Sequence, residues 1–221
     1  MKKLLPIITI VTCTILLFAS CMGAESKIKI QNDGSGTISF TYRISQMLLN
    51  MGEDTGEEGT DEESGEEESA DMPLPISKED FEKNVEGIEG LRLIEVTQTE
   101  TEQDIIITAE LEFDNVEALS QSEAFSEWPV TFEKVGNTYT YKQVLSEGIV
   151  DKDDPALDDE SIKMIESMFP GYEFVFSVET PSPIKDHNIG ELSADKKTLT
   201  YTISTTDMMR NKDKLEFTVT W

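Results

Sequence analysis

Apolar and polar residues alternate with a period of two in two short runs near the start of the chain. Ile28 and Ile30 stand among Lys27, Lys29 and Gln31, and Ile38, Phe40 and Tyr42 stand among Thr37, Ser39, Thr41 and Arg43. Successive side chains of a strand point to opposite faces, so each run predicts a strand with one buried and one solvated side. Asn32-Asp33-Gly34-Ser35-Gly36 lies between them, and a glycine-bearing turn flanked by alternating runs predicts a hairpin. The Asp-Gly-Ser-Gly within it lacks the Gly-Lys-Ser/Thr of a phosphate loop and the spaced acids of a calcium loop, which favours a plain turn. Ile44, Met47, Leu48 and Met51 then recur at helical spacing and predict a short helix or turn. Methionine fills irregular apolar space, so Met47, Leu48 and Met51 are either ordinary core or the lining of an adaptable apolar pocket, and they are the candidate ligand-binding residues.

Further along, Ser77 with Asp80 three residues on reads as a helix start, and Phe81, Val85 and Ile88 follow at i, i+4 and i+7, with a stop by Gly87 or Gly90. Strands are expected over 91–96 and 104–113, joined by a polar connection over 97–103. Asp114-Asn115 caps a helix carrying Val116 and Leu119 that fades near Phe125. Strands over 130–135 and 138–145 meet at Gly136-Asn137, which suits a two-residue hairpin turn. After a polar connection, a helix starts at Asp158 or Asp159 with Ile162, Ile165 and Phe169 facing inward, and Pro170-Gly171 stops it. Strands follow at Phe174, Phe176 and Val178, at Leu199, Tyr201 and Ile203, and from Leu215 to Trp221, with Pro181 and Pro183 marking an edge or turn. The pattern predicts a single α+β domain, residues 25–221: a mostly antiparallel sheet of about eight strands with three to four helices.

One stretch does not fit any of these periods. Residues 52–71 hold eleven acidic residues and four glycines, with no basic and no aromatic residue, and such a segment cannot bury enough apolar surface to offset the entropy of ordering. A disordered acidic loop is expected over 52–72, inserted within the domain. Dense carboxylates attract hard cations, yet the spacing fits no EF-hand, so a solvated loop is the favoured reading.

The N-terminus changes the picture more than the composition does. Met1-Lys2-Lys3 is basic, residues 4–18 form an almost unbroken apolar run, and Ala19-Ser20 place two small residues before Cys21. That is the pattern of a secretory signal peptide, residues 1–20, ending in a lipobox: the apolar run enters the membrane as a helix, and the small residues give a peptidase access to the backbone. Cys21 would become the new N-terminus and carry acyl chains, palmitate among them, which anchor firmly when more than one is present. Phe18 departs from the leucine usual at its position. A secreted protein cut near Ala24 and an uncleaved anchor remain alternatives, although a run of about 15 residues is short for a permanent span.

Forty-five acidic residues against 18 basic ones give a formal charge of -27. Removing residues 1–20 leaves 16 basic residues and -29. Such a chain disfavours nucleic-acid phosphates and invites a basic protein partner. Cleavage would also leave Cys21 as the one cysteine, consumed by lipid, so the domain has no internal disulfide and stands on its core.

Little in the sequence points to catalysis. His187 is the single histidine and sits in a polar Asp186-His187-Asn188 turn, which favours a surface role. Residues 151–160 form the densest acidic cluster outside the loop, but Pro155 and Ala156 occupy positions that a calcium loop reserves for a ligand and a glycine, and helix capping accounts for the acids. Nothing selects a pair of carboxylates for glycoside hydrolysis. No catalytic residue, metal or cofactor is expected.

The lipobox followed closely by a strand, the Asn32-Asp33-Gly34-Ser35-Gly36 turn, the strand-into-helix run Leu111-Glu112-Phe113-Asp114-Asn115-Val116-Glu117-Ala118-Leu119, the later strand over 172–178, Pro183-Ile184 and Asn188 together resemble the LppM-type bacterial lipoproteins. The resemblance spans most of residues 25–221. It implies a membrane-attached α+β domain that binds envelope lipids or glycolipids, on the extracytoplasmic side of a bacterial membrane. The chain departs from that pattern in its acidic insertion and in having no transmembrane helix or basic tail after Trp221. Two functions follow as expectations: binding of a lipid or glycolipid in an apolar groove, or a structural lipoprotein whose acidic surface meets a basic partner.

Overall fold

The computed structural model describes residues 22–46, 75, 77–122, 125, 128–148, 159–168 and 171–221. The first two alternating runs form β1 (Met22–Ile30) and β2 (Gly36–Ser45), paired antiparallel with Ile28 opposite Ile38. Their turn is fastened by the Asp33 carboxylate, which accepts from the Ser35 N–H at 3.1 Å and the Ser35 hydroxyl at 2.7 Å. Glycine is obligatory at position 36, because a Cβ there would stand 2.0 Å from the Lys29 carbonyl oxygen and 2.7 Å from the Phe113 ring.

Helix α1 (Lys78–Val85) begins as predicted: Ser77 accepts from the Asp80 N–H while the Asp80 carboxylate accepts from Ser77, a reciprocal cap. Next come β3 (Leu91–Glu100), β4 (Asp104–Phe113) and the one-turn helix α2 (Val116–Leu119), capped by the Asn115 side chain. Then β5 (Val130–Val135), β6 (Thr138–Ser146), α3 (Asp159–Met168), β7 (Glu173–Glu179), the two-residue strands β8 (Asp186–His187) and β9 (Glu191–Leu192), β10 (Thr198–Ser204), α4 (Thr205–Arg210) and β11 (Leu215–Thr220) complete the chain.

The fold is α+β, and the described residues hold eleven strands and four helices. The strands form two sheets rather than one: a seven-stranded sheet ordered β3-β4-β2-β1-β7-β10-β9 and a four-stranded sheet ordered β5-β6-β11-β8. Among the described residues all pairings are antiparallel except β1 with β7, where Ala24 lies opposite Phe174 and Ile28 opposite Val178.

Register gives the large sheet one apolar face. Ile28 meets Ile38, Ile38 meets Leu111, and Val178 meets Leu199, so alternate residues of five strands point the same way. The β1–β2 turn end of this face packs under the four-stranded sheet and α2, burying Ile30, Phe113, Tyr141, Phe217 and Trp221. Its other end packs under the three longer helices, burying Tyr42, Ile44, Ile107, Phe81, Ile162, Ile165 and Met209.

Three expectations need correction. Ile44 does not start a helix: Ile44 and Ser45 finish β2, since Ile44 pairs with Ile105 and falls on the same buried face as Tyr42. The connection expected over 97–103 is strand through Glu100, because an edge strand with a solvated face tolerates the polar Thr97, Gln98 and Thr99. The single expected sheet divides, with β5, β6 and β11 leaving to cover the other strands. The leader, Met47, Leu48, Met51, the acidic segment 52–72 and residues 151–158 lie outside the described residues. No helix among those described is long and apolar enough to cross a membrane.

Candidate functional site

A small apolar cleft opens where the two covers of the large sheet meet. Phe40, Leu91 and Leu111 make its floor, Phe81 and Val85 of α1 one wall, and Leu119 and Phe125 the other. Phe40 touches both halves of the core and tilts its ring against Phe125 at 5.2 Å. Pro75 closes one side, its carbonyl accepting the Tyr42 hydroxyl at 2.8 Å, while the Tyr42 ring stacks on Phe81. The cavity is about 20 Å³. That admits one water, whereas small-molecule sites run to roughly 300 Å³ and more.

The second feature is polar and lies on the open face of the same sheet, at the end where β1 begins. Asp104 is 4% exposed, and its carboxylate accepts from Arg43 Nη2 at 2.6 Å and from the Tyr172 hydroxyl at 2.5 Å. The Arg43 guanidinium also lies over the Tyr172 ring, 5.2 Å from its centre. Burial works to raise the Asp104 carboxyl, but the hydrogen bonds from Tyr172 and Arg43 and the Arg43 charge outweigh it and hold the group below its ordinary value. Burial, then the bond to Asp104 and its charge, push Tyr172 up. Asp104 therefore stays ionised and Tyr172 protonated through neutral pH. The trio is a fixed charge pair with a donor, not a group that exchanges a proton near pH 7.

The structure gives the other candidate residues these places. Cys21, Met47, Leu48 and Met51 lie outside the described residues. His187 is half-buried in β8 opposite Val219, not in an exposed turn, and its Nδ1 has no hydrogen-bond partner. The difference arises because Asp186-His187 adds a short edge strand to β11. Asn188 is a structural clamp: its amide donates to the Glu216 carbonyl at 2.7 Å, and its oxygen accepts from the Thr218 and Ile189 N–H groups at 2.9 Å each. Of the acids at 151–160, Asp159 and Glu160 occupy the first turn of α3, where the helix dipole favours them. Among the described residues no three His, Cys, Asp or Glu groups come together as a metal site.

Sequence reading missed the Arg43–Asp104–Tyr172 cluster, since its members lie 61 and 68 residues apart. The available signal was a glycine, Gly23, in a strand whose neighbour carries an arginine.

No family model matches the chain, and no curated protein matches it. Among solved structures, the NMR structure of the folded domain of the Mycobacterium tuberculosis LppM protein is similar over 90% of this chain and 88% of that one, at 9% sequence identity and a TM-score of 0.48.

Proposed function

We propose that the chain is a non-enzymatic envelope lipoprotein, anchored by acylated Cys21 to the extracytoplasmic side of a bacterial membrane, whose domain takes an acyl chain of a lipid or glycolipid. The anchoring rests on the apolar run over 4–18 and the Ala19-Ser20-Cys21 sequence. The ligand reading rests on one observation, the apolar cleft between α1 and α2 over Phe40, Leu91 and Leu111. At about 20 Å³ it receives a chain only when α1 swings outward. That helix is held lightly, with Phe81 its one buried side chain.

Native mass spectrometry with organic extraction, on the domain purified without detergent from a host that exports it, tests the reading. A stoichiometric co-purifying lipid that is lost in Phe81→Trp, which fills the cleft, supports it. A bare protein mass, unchanged after incubation with envelope lipid extract, overturns it.

A second reading has its own observation. Glu95 and Glu110 stand directly opposite each other on the open face of the large sheet, both exposed, and like charges so placed cost stability. A basic partner protein would neutralise them. Retention on a lysine-rich peptide matrix that falls steeply with salt, and falls again in Glu95→Gln/Glu110→Gln, favours this reading; salt-independent lipid extraction counts against it.

A further inference from the structure

We infer that the domain sits directly on the membrane in one orientation, with the β1-start end of the seven-stranded sheet facing the lipid surface. The inference rests on the anchoring reading above and adds what the structure contributes to it: the absence of slack. Cys21 immediately precedes β1, whose pairing begins at Met22 opposite Ile44 and continues with Gly23 opposite Arg43. β1 is a central strand, held by β2 on one side and β7 on the other.

The first residues of β1 are also strapped. A Cβ on Gly23 would lie 3.5 Å from the Tyr172 ring and 3.2 Å from the Glu173 carbonyl oxygen, so the ring crosses the open face over Gly23 itself. Beyond it the hydroxyl reaches Asp104 on β4, passing the Arg43 guanidinium on β2. The other end of the strap is tied by its backbone: the Tyr172 carbonyl accepts from the Thr205 N–H at 3.2 Å and the Thr205 hydroxyl at 3.1 Å. Four strands and the start of α4 therefore converge on the residue pair next to the acylation position.

Hydrogen bonds also fasten the other described residues at that end. The β3–β4 turn is closed by the Thr101 hydroxyl, which donates to the Asp104 carbonyl at 3.0 Å and accepts from its N–H at 2.9 Å. Gln46 donates to the Thr101 carbonyl at 2.6 Å. A flexible linker of n residues lets a domain wander by about 5 Å times the square root of n; here n is zero. Glu100, Glu102 and Glu173 are exposed at this end and resist anionic headgroups, so the anchor and not electrostatic attraction sets the pose.

The acylated full-length product in phosphatidylcholine nanodiscs carrying a trace of gadolinium-chelating lipid tests the inference through amide relaxation. Enhancement is expected to be strongest at Gly23, Gln46, Gln103 and Glu173 and to fall along β1 to the turn at Asp33–Ser35, roughly 30 Å away for a nine-residue strand. A glycine-serine spacer inserted between Cys21 and Met22 should abolish the gradient with the spectrum otherwise unchanged. Uniform relaxation in the parent protein, a gradient of opposite sense, or a gradient that survives the spacer overturns the orientation. Intact mass reports the acylation separately: an unmodified Cys21 overturns the anchoring reading and the orientation with it, whereas an acylated chain with uniform relaxation overturns the orientation alone.

Discussion

At one end of the large sheet's apolar face, Ile30, Ile38, Phe113 and Val178 lie under a second sheet; at the other, Tyr42, Ile44 and Ile107 lie under helices. The strands and the face are the same, and only the cover differs. Among the described residues the sheet-covered end joins twenty buried residues in one cluster, with Phe132, Tyr139 and Trp221 in mutual ring contact, whereas the helix-covered end joins eight. Stability should therefore concentrate near the β1–β2 turn, and local opening near the helices. Any ligand that must part the structure to enter meets least resistance at the seam beside α1.

Trp221 anchors the sheet-covered end. Its ring is 1% exposed and its Nε1–H donates to Asn32 Oδ1 at 3.2 Å, joining β11 to the first turn. Trp221→Ala is expected to lower unfolding free energy by about 4 kcal/mol, seen as a lower denaturant midpoint at unchanged slope. Ile162, in the first turn of α3, is fully buried, and Ile162→Ala should cost about 3 kcal/mol. Its signature should differ: hydrogen exchange is expected to accelerate in the helices while β6 and β11 stay protected, and equal acceleration in both would dissolve the distinction.

Asp104→Asn removes the charge under the Tyr172 strap and should cost about 2 kcal/mol at neutral pH. Because the folded Asp104 carboxyl titrates below its ordinary value of 3.8, its stabilisation is complete above that pH and is lost as pH falls through the folded value. The gap in melting temperature between parent and variant should therefore close on acidification below about pH 4, and a gap independent of pH would show that the charge is not what matters. The smallest effect belongs to Glu179→Gln, which breaks the solvent-facing pair with Lys29 at 3.0 Å. A change within about 0.5 kcal/mol that vanishes in high salt is expected, and a larger one would make the open face a structural element in its own right.

Local chemistry explains which parts of this fold were legible in the sequence. The first hairpin, the Ser77–Asp80 cap and the β5–β6 turn at Gly136-Asn137 are specified by neighbours in sequence, and each stands as predicted. The division into two sheets is not: no local feature assigns β4 to one layer and β6 to the other, and only long-range pairing separates them. The helical reading of Ile44 failed because four spaced apolar residues cannot report that the first of them completes a ladder with β4. Thr205–Arg210 was missed since its six residues bury only Thr205 and Met209, too few for a period to show. As for the candidate site, the proposed acylation at Cys21 rests on a linear motif, Ala19-Ser20-Cys21, which a sequence carries whole. The cleft and the Tyr172 strap are assembled from separate strands and could not.

The parallel pairing of β1 with β7 has a consequence for how the molecule comes into being. β1 is synthesised early, yet its second edge stays empty until β7, with Ala24 waiting for Phe174. Contacts of such separation are made late, because closing the intervening loop costs entropy before any burial compensates for it. Until then the hairpin of β1 and β2 presents an unpaired edge and an apolar face with no cover. A chain built this way is slow to commit, and its N-terminal hairpin waits for its last neighbour while the C-terminal half is still being made.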